Sequence, residues 1–161
     1  MRFQNALSGR SIDYINADGL LNTQKLLKQF TQFYRENSVI WLEQFDYKES
    51  GPHLILLAFL QRIINGGGTI HREYALGRKR VDLLICWPGK QPKQRIVIEL
   101  KLWNGPQSLS KGLEQTAEYM DLNNATEGHL IIFDRTNKSW EEKIYQKTEV
   151  VGTKTIHVWG M

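Results

Sequence analysis

The sequence has one cysteine, four prolines and no apolar run long enough to cross a membrane. Cys86 has no partner for an intramolecular disulfide, so we expect the chain to fold in a reducing compartment. The longest apolar run, residues 54–60, is far shorter than the roughly 18 residues that a spanning helix needs. The N-terminus lacks the basic start and apolar stretch of an export signal. These features predict a cytoplasmic protein without a membrane segment.

The sequence also lacks internal repeats, low-complexity tracts and an obvious linker. Its 161 residues, 41% of them hydrophobic and 24% charged, are typical of one globular domain. We therefore expect a single domain over residues 1–161. The net charge of +4 favours a polyanionic partner, because neutralising phosphates releases counterions. A lysine-rich solvated face would explain the same charge without any partner.

The spacing of apolar residues predicts an α/β fold. Apolar residues recur at helical spacing in 20–37, 52–65 and 109–122, and a short helical or turn segment is expected over 39–45. Strand patterns cover 69–76, 79–87, 95–102 and 128–133, and two more strands are expected around Gly152 within 140–159. The glycines at 66–68 are interpreted as a helix end, because no Gly-Lys-Ser/Thr follows them as in a phosphate-binding loop.

Charged residues interrupt the apolar strands at matching positions. Strand alternation places Glu99 and Lys101 on one face of the third strand. A hairpin symmetric about residues 90 and 91 sets Asp82 opposite Glu99, and a two-residue turn at 77–78 sets Glu73 opposite Asp82. Like charges directly across strands destabilise a sheet, so this row predicts a bound cation.

Magnesium is the ion that this row of carboxylates suits best. It prefers oxygen ligands and keeps several waters while engaging one or two carboxylates and a substrate phosphate, here through Asp82 and Glu99. Zinc is disfavoured, because the chain has one cysteine and its histidines lack paired ligand spacing. Lys101 would place an ammonium beside the attacking water or the charge that builds on the phosphate. The pattern predicts a hydrolytic site.

The segments 72–77, 80–85 and 97–101 together resemble the PD-(D/E)XK nuclease superfamily over about residues 49–134. Asp82 stands at the position of the acid of that family, and Glu99 and Lys101 stand at its E-x-K. Gln115 and Tyr119 resemble the Q-x-x-x-Y of the RecB-like members. Glu49, ahead of the first core helix, resembles a further metal-site acid of the family. Val81 departs from the motif, which has proline at that position, but the family tolerates this substitution.

The resemblance implies a restriction-endonuclease-like αβββαβ core with a mixed central sheet flanked by helices. Residues 1–48 would be a helical extension, 49–134 the nuclease core and 135–161 C-terminal strands. Asp82, Glu99 and the backbone carbonyl of Leu100 would hold Mg²⁺, for which Mn²⁺ could substitute. Lys101 would help to activate water, and the site would be supported by Gln115 and Tyr119.

Two segments, 61–68 and 157–161, resemble more narrowly the nuclease-like C-terminal domain of certain bacterial AAA-ATPase-like proteins. The chain has no Walker motif, so the resemblance implies an ATPase only as a partner domain in a longer protein. The expected function is a metal-dependent nuclease, acting on DNA rather than RNA. The alternative is a non-catalytic module that binds nucleic acid or protein.

Several polar residues near the predicted site admit two interpretations. Gln115 and Tyr119 could equally be a polar i, i+4 pair on a helix surface. Trp103 could stack on a base or simply pack at a strand end. Four cationic residues could contact phosphates or be ordinary surface charge of a hairpin end: Arg72, Arg78, Lys79 and Arg80.

Overall fold

The chain is described from a computed structural model that covers residues 14–44, 51–64, 67–74, 81–88 and 93–161. Side chains are described for 14–37, 52–62, 67–72, 83–88 and 93–161. The helices are α1 (Thr23–Gln44), α2 (Gly51–Ile64), α3 (Gln107–Leu122) and α4 (Trp140–Lys143). The strands are β1 (Thr69–Tyr74), β2 (Val81–Trp87), β3 (Gln94–Leu102), β4 (Glu127–Phe133), β5 (Tyr145–Val151) and β6 (Lys154–Gly160).

The strands form one six-stranded mixed sheet in the order β1-β2-β3-β4-β6-β5. β4 pairs in parallel with β3 and with β6, and β5 pairs antiparallel with β6. Only six residues join β1 to β2 and β2 to β3, too few for a parallel crossover, which implies antiparallel neighbours. The predicted α/β class is confirmed, and α2 to β4 follow the expected αβββαβ order.

Two predicted boundaries were wrong. One helix, α1, continues to Gln44 where the sequence predicted an end at residue 37 and a separate segment over 39–45. Asn37 does not break it, because its side-chain amide donates to the Phe33 carbonyl within the helix at 2.9 Å. Trp140 begins the short helix α4 instead of a strand, since Ser139 caps it by accepting from the Glu142 amide at 3.4 Å.

The chain divides into two compact units, and the first comprises residues up to Ile70 together with Cys86–Gln94. Asn22 begins α1 by accepting a hydrogen bond from the Lys25 amide at 3.1 Å. Phe30 of α1 then packs on Phe59 of α2, with ring centroids 5.3 Å apart. Within the described part of the chain, no helix is both long and apolar enough to cross a membrane.

The second unit comprises His71–Ile85 and Arg95–Met161, and in it α3 packs closely on the sheet. The close approach depends on small residues on the helix and on the strand. A Cβ added to Gly112 of α3 would lie 2.9 Å from the methyl groups of Leu130 in β4. A Cβ added to Gly128 of β4 would likewise overlap Met120 and approach Thr116 to 3.2 Å. Only glycine therefore fits at these two contacts without displacing neighbours.

The opposite face of this part of the sheet carries a hydrogen-bonded histidine. His129 is 0% exposed, and its Nδ1 accepts from the Trp159 indole N–H at 3.0 Å. Its Nε2 is therefore the protonated nitrogen and donates to the Glu127 carboxylate at 2.8 Å. The His157 ring stacks on His129 with centroids 5.0 Å apart. Both histidines are thus held in place by contacts within the sheet.

Replacing Gly112 by valine should destabilise the protein by about 1–3 kcal/mol, because the new side chain would push Leu130 and the stem of Lys101 away. Lys111→Val, at an exposed neighbouring position of α3, is the control. Valine raises the intrinsic helix propensity when it replaces glycine and lowers it when it replaces lysine, so a larger loss in Gly112→Val reports packing and not propensity. Urea unfolding measures both variants. Equal losses in the two would contradict the close packing described above.

The free energy of unfolding should fall as the pH drops through about 6.5, with His157 contributing. Burial and the neighbouring His129 lower the pKa of His157, outweighing Glu127, which raises it. The unfolded chain therefore takes up a proton that the folded chain resists. In His157→Gln the loss of unfolding free energy between pH 7.5 and 5.5 should be smaller than in the wild type. In the control variant Gln146→Ala, at an exposed site, this loss should equal that of the wild type. An unchanged loss in His157→Gln would refute this origin.

Candidate active site

Glu99 is a charged residue in the middle of a buried apolar strand. Its side chain is 0% exposed, and its neighbours Ile98 and Leu100 in β3 are buried as well. In the parallel pairing with β4 it lies beside Leu130. An ionised carboxylate at this depth loses several kilocalories per mole of hydration, which charges or hydrogen bonds must offset. Apolar packing alone would not select glutamate at this position.

Lys101 lies on the same sheet face as Glu99 and bonds to α3. Its Nζ donates to the Gln115 side-chain oxygen at 2.9 Å. Its Cδ would lie 3.3 Å from a Cβ on Gly112, so the small helix residue makes room for the lysine stem. Two residues along a strand span about 6.6 Å, which sets the separation of Glu99 and Lys101 along the backbone. The structure thus brings Lys101 and Gln115 together, and Glu99 shares the strand face of Lys101.

Tyr119 follows Gln115 by one turn of α3 and is 3% exposed. Residues four apart lie on the same helical face, and in α3 that face packs on the sheet. Tyr119 is therefore part of the packed surface and not a solvated residue. Gln115 is half-buried, and its side-chain oxygen accepts the hydrogen bond from Lys101.

Other predicted residues lie partly or wholly outside the described residues. Asp82 is in β2, which neighbours β3 in the sheet, and Glu73 is in β1, which neighbours β2. Their side chains are not among those described, so the predicted row opposite Glu99 stays a prediction. Arg72 is half-buried in β1. The predicted residues that lie outside the described residues are Glu49, Arg78, Lys79 and Arg80.

The metal site predicted from the sequence includes residues whose side chains the structure describes and residues whose side chains it does not. Among the side chains that the structure describes, no group of three or more His, Cys, Asp and Glu could hold a metal ion. Glu99 is the described carboxylate of the predicted set. Leu100 turns its side chain to the opposite face by strand alternation, which leaves its backbone carbonyl as the predicted ligand.

A cavity that the sequence analysis did not predict lies beyond the carboxyl ends of β3 and β4. It has a volume of about 260 Å³. Its lining residues come from β4, α3, α4, β5 and the segments that follow β3 and β4: Trp103, Leu109, Ile132, Asp134, Lys138, Glu142, Lys143, Tyr145 and Lys147. Ile132 is the partner of Lys101 in the strand register. Trp103 was the only sequence signal here, because the other residues meet only through the fold.

The comparisons with known proteins give one match. Neither curated proteins nor solved structures are found to be similar to the chain. A family described as "Domain of unknown function" (DUF8371) matches residues 22–137, more than two thirds of the sequence. The matched region contains Glu99, Lys101 and Gln115, and its description states no activity. The chain therefore belongs to the DUF8371 family.

Proposed function

We propose that the chain is a metal-dependent nuclease with a restriction-endonuclease-like core, hydrolysing phosphodiester bonds of DNA rather than RNA. The observation that carries this proposal is the fully buried Glu99 on the same strand face as the Lys101–Gln115 pair. A buried carboxylate, a lysine two residues on and a polar helix residue that orients the lysine suit phosphoryl chemistry. The αβββαβ order and the resemblance to PD-(D/E)XK nucleases support the same proposal.

The residues fit a magnesium ion by their chemistry. Glu99 is a hard oxygen donor whose burial makes a neighbouring positive charge favourable. Asp82 on the adjacent strand and the Leu100 carbonyl would complete the protein ligands, with Glu73 and Glu49 as further acids. When bound, the ion would supply positive charge to the phosphate oxygens and lower the pKa of a coordinated water.

Lys101 would act on the substrate through its ammonium group. An ammonium has three N–H donors, and Gln115 takes one of them. The ammonium held in this position would orient the attacking water or stabilise charge on the phosphate as it reacts. Gln115 is then a positioning residue, because it fixes Lys101 and does not itself touch the reacting atoms. Tyr119 is buried one helical turn beyond Gln115, on the same face of α3.

The proposal has consequences for partners and location. The net charge of +4 would assist binding to a polyanion, with Arg72, Arg78, Lys79 and Arg80 as phosphate contacts. An AAA-type ATPase domain in the same longer protein is the proposed protein partner. A cytoplasmic location would give access to DNA and keep the half-buried thiol of Cys86 reduced.

Glu99→Gln and Lys101→Met should each lower cleavage of labelled DNA by at least about a hundredfold, because Glu99 would hold the metal ion and Lys101 would place positive charge at the reacting phosphate. The assay compares single-stranded DNA, duplex DNA and RNA in Mg²⁺, Mn²⁺ or EDTA. Glu118→Gln and Lys111→Met are matched controls on exposed positions of α3 and should keep wild-type rates. Melting curves establish that each variant is folded.

Two outcomes would defeat this assignment: cleavage that persists in EDTA, or cleavage that Glu99→Gln retains. Addition of Mn²⁺ gives a second measurement, because an ion that binds only the folded state raises the melting temperature. The wild type should show this increase and Glu99→Gln should not. Nucleic-acid binding without cleavage or metal stabilisation would favour the non-catalytic module instead.

The Lys101–Gln115 bond should make the two residues act as one unit. Gln115→Met should lower the cleavage rate about 10–100-fold, the usual effect of losing a residue that orients a catalytic group. In the Lys101→Met background, Gln115→Met should lower the cleavage rate little further, because the ammonium that Gln115 orients is already absent. Gln115→Glu keeps an acceptor for Nζ and should recover much of the rate. Independent, multiplying effects of the two methionine variants would contradict the positioning role.

A further inference from the structure

The cavity beyond β3 and β4 adjoins the proposed catalytic lysine. Trp103 follows Lys101 by two residues, and its backbone N–H continues the parallel ladder by donating to the Phe133 carbonyl at 2.8 Å. Alternation therefore directs Lys101 and Trp103 to the same sheet face, about 6.6 Å apart along the chain. Ile132, the strand partner of Lys101, lines the cavity, so a ligand held there would lie near the end of β3 that carries Lys101.

Aromatic rings and lysines line this cavity together. The Lys138 ammonium lies 5.5 Å from the centre of the half-buried Trp103 ring, and Lys147 lies 5.7 Å from that of Tyr145. Burial, together with the charge of Asp134, raises the pKa of Tyr145, so its ring stays neutral. Stacking surfaces bordered by cations are the features by which proteins hold the bases and phosphates of unpaired strands.

The charges of the lining leave a small positive excess. Three lysines and two acids contribute, which gives a formal charge of +1. Burial alone would raise the pKa of Asp134, but hydrogen bonds from Thr136 and the charges of Lys138 and Lys143 bring it below its usual range. Its ionised carboxylate lies 3.6 Å from Lys138. The acids can accept from base amino groups. Lys147 is exposed and pairs with Glu149 at 3.4 Å, an ion pair that a phosphate oxygen could join or replace.

We propose that this cavity receives one unpaired base of a single-stranded nucleic acid, stacked on Trp103, while its lysines contact the flanking phosphates. The inference rests on the proposed nuclease function and adds its substrate class. The volume of about 260 Å³ lies just below the usual 300–1,000 Å³ of small-molecule sites and suits one planar ring. A base within a duplex is paired and stacked, so it cannot enter without being extruded.

The experiment measures binding in EDTA, where the metal-dependent reaction does not proceed. Fluorescence anisotropy follows a labelled single strand of about 12 nucleotides and the duplex of the same sequence. Trp103→Ala should weaken single-strand binding about tenfold or more, whereas Trp103→Phe, which keeps a stacking ring, should stay within about threefold. The wild type should bind the single strand more tightly than the duplex.

Salt dependence tests the lysines separately. Lys147→Gln should reduce the slope of log K against log salt by about 0.7, the value for one lost phosphate contact on a single strand. Lys111→Gln, at an exposed position on α3 outside the lining, should leave the slope unchanged. An equal change in both variants would overturn the assignment of Lys147 to the cavity.

The remaining outcomes separate this inference from the proposed function. Single-strand binding that depends on Trp103, without cleavage in Mg²⁺, would support the cavity and refute the nuclease. Cleavage with wild-type affinity in Trp103→Ala would overturn the cavity while the nuclease stands. Equal affinity for single strand and duplex would also overturn the inference, because a paired base has no access to the ring.

Discussion

The close packing of α3 on β3 and β4 is the constraint on which the proposed site depends. Gly112 lets the helix approach Leu130, and Gly128 makes room for Met120 and Thr116. At this distance the Gln115 side chain reaches the Lys101 ammonium directly. A helix displaced outward by a larger residue would leave that ammonium to water. The lack of side chains at Gly112 and Gly128 therefore determines both the packing of α3 and the Lys101–Gln115 hydrogen bond.

Glu99 shows how the same sheet accommodates a group that apolar packing disfavours. A strand buried on both faces normally consists of apolar residues, as β4 does from Leu130 to Phe133. In β3 the apolar series is interrupted by a carboxylate at 0% exposure and continues to a lysine. A charged group on a central strand is held in a fixed position by that strand, and the proposed site would require such a fixed position.

The order of helices and strands could be predicted from periodicity, because α2 and β1 to β4 carry strong patterns with clear turn residues. The exact ends of the elements could not be predicted in this way. Asn37 is accommodated within α1 by a hydrogen bond of its own side chain, and Ser139 caps a helix where alternation suggested a strand.

For the site, alternation alone placed Glu99 and Lys101 on one face, and the family resemblance suggested Gln115. The cavity could not be predicted from the sequence, because Trp103, Asp134 and Tyr145 are distant in sequence and meet only once the parallel strands are aligned.

The position of β6 has a consequence for how the sheet assembles. It is the last strand along the chain, yet it lies between β4 and β5 and pairs with both. The hairpin of β5 and β6 can form locally, but its docking on β4 closes a loop of more than twenty residues. Such non-local pairing slows folding, so this half of the sheet should be completed late, after α3 has settled on β4.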